Sequence, residues 1–158
     1  MGGRENFFHC YSCKGCFAVE GREEHKCKEW SSLHQNCPVC FEFLFSSTKE
    51  VAVLPCSHPI HRLCLLKMRN QMLGSREPWV ILKANSCPTC SRSVCDLDWL
   101  WDQLDEEIVN TPMPEEYADK KVDVLCNDCG VTSRGAPFHV LGTKCLAEGC
   151  RSYNTRRL

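Results

Sequence analysis

Cys37-Pro-Val-Cys40, Cys56-Ser-His58, His61-Arg-Leu-Cys64 and Cys87-Pro-Thr-Cys90 are the stretches that decide this fold. They supply eight soft or borderline ligands in one short segment, which suits two tetrahedral zinc ions. A spacing of two residues lets both cysteines of a pair reach one metal. The central C-x-H-x2-H-x2-C array is too crowded for a single ion to use all four of its ligands. A cross-braced arrangement relieves the crowding: Cys37, Cys40, His61 and Cys64 on one zinc, and Cys56, His58, Cys87 and Cys90 on the other. All positions are then filled by protein, so neither metal keeps an open site for water, which argues against metal-assisted hydrolysis.

The composition points the same way. Of 158 residues 43% count as hydrophobic, but that figure includes 15 cysteines. Without them the chain is poor in core-forming residues, and small domains with thin cores need staples. Histidines placed among the C-x2-C pairs fit zinc and have no use in a disulfide framework. A reducing compartment follows. The first residues, Met1-Gly2-Gly3-Arg4-Glu5-Asn6, show no apolar signal core, and no apolar run has membrane-spanning length. The net charge of -1 offers no electrostatic case for nucleic acid or an anionic membrane.

Two further zinc sites are expected on either side. Upstream, Cys10 and Cys13 with His25 and Cys27 make four ligands, leaving His9 and Cys16 over. Downstream, Cys126-Asn-Asp-Cys129 is a good knuckle, led in by the alternating Lys121-Val122-Asp123-Val124. Its partner pair is Cys145 and Cys150, with His139 as an alternative ligand. The expected content is about four zinc ions, at one per tetrahedral set. His34 reads as a surface histidine and Cys95 as a small buried residue outside any set.

Four segments follow, all small zinc-stabilised α+β modules: residues 1–36, 37–91, 92–121 and 122–158. In the third, Leu97, Leu100, Trp101, Leu104 and Ile108 fall at helical spacing, with Asp96 as N-cap. This stripe is expected to pack on a neighbouring zinc module, with Asp102, Asp105, Glu106 and Glu107 on a solvated face. Thr111-Pro112-Met113-Pro114 must end the helix. Twenty-two residues (65–86) separate Cys64 from Cys87. They include Trp79-Val80-Ile81-Leu82, an apolar run that is unusual in a loop. The stretch is either a tolerated long loop or an artefact of gene assembly.

The central array is the RING-H2 pattern. Further stretches carry a wider resemblance: GGRENFFHC (2–10), HKC (25–27), NCPVC (36–40), VLPCSHPIHRLC (53–64), LDEEIVNTPMPEEY (104–117), VLCNDCG (124–130), FHVLGTKC (138–145) and RSYNTR (151–156). Together they resemble the CHY/CTCHY zinc-finger and RING-finger family of E3 ubiquitin ligases. The resemblance implies a partial, N-terminally truncated CTCHY finger (1–36), a RING-H2 finger (37–91), a helical linker (92–121) and a C-terminal zinc ribbon (122–158). It implies a RING-type ubiquitin transferase, with no covalent cysteine intermediate, that binds a ubiquitin-conjugating enzyme carrying ubiquitin. It further implies a protein substrate such as a transcription regulator, and residence in nucleus and cytoplasm. Val39, Met68 and Pro88 stand where the family docks the conjugating enzyme. The sequence departs from the family at Ser91, where RING ligases often carry an arginine (here Arg92 comes one later), at the long 65–86 stretch, and at Cys145-x4-Cys150, where two intervening residues are usual. Ser91, the long stretch and the missing N-terminal part of the family pattern leave a silent zinc-dependent adaptor as the alternative. Nucleic-acid binding through Arg151, Arg156 and Arg157 is a weaker third reading, because that basic cluster is short.

Overall fold

The computed structural model describes residues 4–11, 15–19, 22, 34–70 and 74–158. The chain falls into two compact units, Met1–Lys67 and Met68–Leu158.

In the first unit β1 (Phe7–Cys10) pairs antiparallel with β2 (Gly15–Ala18), with His9 opposite Cys16. A second hairpin joins β3 (Val51–Val53) to β4 (Pro59–His61), in the register Val51 to His61 and Val53 to Pro59. Its connection is tight. The Leu54 amide donates to the His58 carbonyl at 3.0 Å and the Ser57 amide to the Leu54 carbonyl at 2.7 Å. The hairpin thus sets Cys56 and His58 at its tip and His61 at the end of its second strand. There α1 (Arg62–Asn70) begins at once, placing Cys64 one helical turn after His61. Leu44, Leu54, Ile60 and Cys37 are buried around this turn.

The second unit contains α2 (Pro78–Ala84), α3 (Asp98–Asn110) and a three-stranded antiparallel sheet of β5 (Lys121–Cys126), β6 (Thr132–Pro137) and β7 (Thr155–Arg157), in the order β6-β5-β7. Several of the sequence expectations about this unit need correction. The stretch holding Trp79-Val80-Ile81-Leu82 is a helix, α2, started by Pro78 in its first turn. Ile81 and Leu82 pack on the core made by Leu97, Leu100, Trp101 and Leu104 of the α3 region together with Tyr153. The apolar run therefore has a job in the core. The helical stripe does pack as expected, and burying Leu100 and Leu104 stabilises the unit by roughly 1.5–3 kcal/mol each. The second correction concerns the acidic residues. Asp105 and Asp102 are not simply solvated, because Asp105 is paired with Lys144 at 2.6 Å and Asp102 with Arg151.

The N-terminus of α3 falls one residue from the expected place. Leu97 is the cap residue, and the Asp96 carboxylate accepts from the Asp98 amide at 2.8 Å. The helix ends at Asn110, before the prolines. No helix among the described residues is long and apolar enough to cross a membrane.

Candidate metal centres

Three knuckles share one backbone form. In each, the first cysteine's carbonyl accepts from the amide four residues on: Phe41 to Cys37 at 2.9 Å, Ser91 to Cys87 at 2.8 Å and Gly130 to Cys126 at 3.0 Å. The first cysteine's amide donates in turn to a carbonyl five residues on, at Glu42, Arg92 and Val131. Closing so tight a loop forces the residue after the second cysteine into the left-handed region. Phe41 has φ 61°, Ser91 62° and Gly130 77°. Only glycine takes that conformation freely, so Phe41 and Ser91 hold it against a steric cost.

These turns aim amides at sulfur. Burial works against the Cys37 thiolate, yet the amides of Cys40, His61 and Val39 turned toward it lower its pKa. Cys145 behaves alike: burial opposes the thiolate, but the Ala147 amide and the Ser133 hydroxyl lower its pKa. By contrast, burial and the neighbouring thiols push Cys64 up to about 11, and burial raises Cys150 as well. A cation bound among such thiols would favour their ionised form.

Among the described residues, two groups of four Cys/His side chains, each within one unit, bring one ligand atom per residue within 4.8 Å of all the others: Cys37, Cys40, His61 and Cys64 in the first unit, and Cys126, Cys129, Cys145 and Cys150 in the second. Of the other expected set, Cys56 and His58 belong to the first unit and Cys87 and Cys90 to the second. The donor chemistry fits zinc. Every donor is sulfur or imidazole nitrogen, with no carboxylate in any group. Sulfurs at the corners of a zinc tetrahedron with 2.3 Å bonds stand about 3.75 Å apart. Cys126 and Cys150 are separated by 3.8 Å, and Cys129 and Cys145 by 3.6 Å. None of the described cysteines is in a disulfide.

The first group has its supporting shell in place. His61 is fully buried, and its Nδ1 faces the Cys40 sulfur at 3.2 Å. Its Nε2 lies 3.0 Å from the Ser47 hydroxyl. That hydroxyl donates to the Glu42 carboxylate at 2.7 Å, and Glu42 is paired with Lys49. If His61 held zinc through Nδ1, its Nε2–H would donate to Ser47, and this chain of bonds would fix ring and tautomer. Neither Ser47 nor Glu42 stood out in the sequence, since nothing in their spacing ties them to the ligands.

Other expected residues fall as follows. Cys10 is half-buried in β1, while Cys13, His25, Cys27 and the Cys16 side chain lie outside the described residues. His9 is exposed, its ring edge-on to Tyr11. His34 is exposed and stacks on Phe45 at 4.5 Å. His139 accepts at Nδ1 from the Leu141 amide at 3.2 Å, its Nε2 lies 2.8 Å from the Thr111 carbonyl, and it joins no metal group. Cys95 is a correction. It is exposed, with its sulfur near the Asn85 amide oxygen at 3.5 Å, because α2 and α3 fill the core without it. Of the docking candidates, Val39 and Pro88 are exposed and Met68 is half-buried.

The class defined by these knuckles is a zinc-RING finger followed by a zinc ribbon, and the chain carries both. Residues 36–92 match the family model of the zinc-RING finger domain, and residues 95–156 match that of the zinc-ribbon. The chain is 43% identical to the E3 ubiquitin-protein ligase RZFP34 of Arabidopsis thaliana, over 99% of this chain and 48% of that protein. It is 42% identical to the probable E3 ubiquitin-protein ligase RZFP34 of Oryza sativa subsp. japonica, over 90% of this chain and 41% of that protein. It is also 38% identical to the zinc finger protein BRUTUS of Arabidopsis thaliana, over 96% of this chain and 11% of that protein. The chain thus spans about half or less of the length of these relatives.

Proposed function

We propose that this chain is the ubiquitin-transfer part of a RING-type E3 ubiquitin ligase. Its RING binds a conjugating enzyme that carries ubiquitin as a thioester. It holds the thioester in a reactive geometry, and an amine of the protein substrate attacks. The gain in rate is a positioning effect, and no cysteine of this chain forms an intermediate. Zinc, when bound, supplies no open coordination position and fixes the shape of the docking surface.

The observation that carries this reading is the closed quartet Cys37, Cys40, His61 and Cys64, with Val39 standing exposed between two of its ligands. Four protein donors fill a tetrahedron and leave no room for catalytic water. An exposed valine held rigidly by a metal knuckle is suited to anchoring a partner. Phe41, 75% exposed at its left-handed position, adds apolar surface to the same knuckle. Met68 and Pro88 complete the docking set inferred from the family resemblance. The similarity to proteins named E3 ubiquitin-protein ligases supports the same activity. Cys10, Cys13, His25 and Cys27 are proposed as a fourth zinc site. Protein substrates such as transcription regulators, in nucleus and cytoplasm, belong to the same reading.

The test is ubiquitin discharge from a panel of charged conjugating enzymes, with parent chain and Val39→Ala compared at equal zinc content. The proposal expects acceleration by the parent and its loss in the variant. No acceleration across the panel would instead make the chain a silent adaptor.

A further inference from the structure

We infer that Asp128, in the middle of the ribbon's first zinc knuckle, is a positioning residue that clamps the last RING knuckle to the ribbon. Its carboxylate accepts four hydrogen bonds and uses both oxygens twice. Oδ1 takes the Ser93 amide at 2.8 Å and the Asn154 side-chain amide at 2.9 Å. Oδ2 takes the Ser93 hydroxyl at 3.1 Å and the Ser152 hydroxyl at 2.6 Å. Ser93 stands three residues past the zinc ligand Cys90. Ser152 and Asn154 belong to the C-terminal segment of the ribbon, and both are about 95% buried.

The clamp reaches the RING backbone itself. The Asn154 side-chain amide also donates to the Ser91 carbonyl at 2.7 Å, the residue held at φ 62°. The Asn154 side-chain oxygen accepts in turn from the Asn127 side-chain amide at 2.9 Å, and Arg92 Nε donates to the Asn127 carbonyl at 3.2 Å. A strained turn keeps its shape only where its surroundings over-determine it. Here that surrounding is a carboxylate whose acceptor sites are all filled by neutral donors, in a network with no unsatisfied member. Asp128 lies between Cys126 and Cys129, so whatever orders that knuckle also orders the clamp. The ribbon therefore sets the shape of the RING segment that holds Pro88 and Ser91. This role rests on the ubiquitin-transfer reading above.

The test uses the full zinc-loaded chain with Asp128→Ala, Asp128→Asn and Ser152→Ala. Zinc content, hydrogen exchange and the maximal rate of ubiquitin discharge are measured for each. In Asp128→Ala, peptides covering residues 87–95 should exchange about tenfold faster, with those covering 37–44 unchanged. The discharge rate at saturating conjugating enzyme should fall about tenfold, as displaced reacting groups require. Asp128→Asn keeps one oxygen and lets its amide donate to Ser152, so it should recover most of both. Should Asp128→Ala lose zinc, Ser152→Ala removes the shortest bond without touching a knuckle, and must show the same pair of changes in smaller degree. Parental exchange, or faster exchange with parental discharge, in a zinc-loaded variant overturns the inference. Absence of discharge by the parent chain removes the ligase reading and the positioning role with it. A working parent with an equally fast Asp128→Ala removes the positioning role alone.

Discussion

The Tyr153 hydroxyl donates to Oδ1 of Asp105 at 2.6 Å, joining the C-terminal segment of the ribbon to helix α3. Lys144 Nζ reaches both oxygens of the same carboxylate, at 2.7 and 2.6 Å. Burial opposes the charge on Asp105, but the bonds from Lys144 and Tyr153 outweigh it and hold its pKa below the usual carboxylate value. Burial and the Asp105 bond push the Tyr153 pKa above the ordinary tyrosine value.

Asp105→Ala should destabilise the fold by about 1–3 kcal/mol, because it leaves a largely buried hydroxyl without its acceptor. The sign with pH follows from the depressed folded pKa. The contribution is complete above the unfolded carboxylate value, about 3.9, and is lost as pH falls through the lower folded value. At pH 7 the full difference should appear in a denaturation midpoint measured under saturating zinc. A parental midpoint would contradict the pairing.

Gly142 has φ 147°, and a Cβ there would stand 2.7 Å from the Trp79 ring and 3.2 Å from the Tyr153 ring. Gly142→Ala combines overpacking with a conformation that side chains avoid, and should cost about 1–3 kcal/mol. Thermal melting checks the size, and a change in tryptophan emission checks that Trp79 has moved. An unaltered melt would show that the ring contact is loose.

Leu82→Ala tests whether α2 belongs to the core. Leu82 is half-buried against the Leu100 and Trp101 cluster, so the loss should be about 1–2 kcal/mol, below the 2–5 of a fully buried leucine. A solvated loop would tolerate the change within about 0.5 kcal/mol. Urea denaturation separates the two.

These variants mark where sequence reasoning reached and where it stopped. Metal ligands are legible because zinc demands particular atoms at particular spacings, and Cys145-x4-Cys150 closes its group despite the longer gap. The α3 stripe is legible because three turns repeat its period. Helix α2 is not, since seven residues with four consecutive apolar side chains carry no period to read. Cys95 misled for a related reason: cysteine is often buried, but here leucines, tryptophan and tyrosine already fill the core. Asp128 reads in sequence as an ordinary turn residue between two ligands. Only the fold brings Ser93, Ser152 and Asn154 to it.

Ser47→Ala should weaken zinc at the Cys37, Cys40, His61 and Cys64 group by about 10–100-fold, the usual cost of losing an outer partner. The His61 ring then lacks the partner of its Nε2. Competition with a metal-binding chromophore measures this. Equal affinity would mean that the knuckles alone orient the ring.

The activity proposed for this chain is faster ubiquitin transfer from a conjugating enzyme bound to the RING. The most direct measurement is single-turnover discharge of ubiquitin from a charged conjugating enzyme onto free lysine, with the zinc-loaded chain present or absent. The account predicts faster discharge with the parent, slow discharge with Val39→Ala despite full zinc, and none of the gain with His61→Ala. Discharge at the unassisted rate, from every conjugating enzyme tried and with the chain folded and fully loaded, would contradict it.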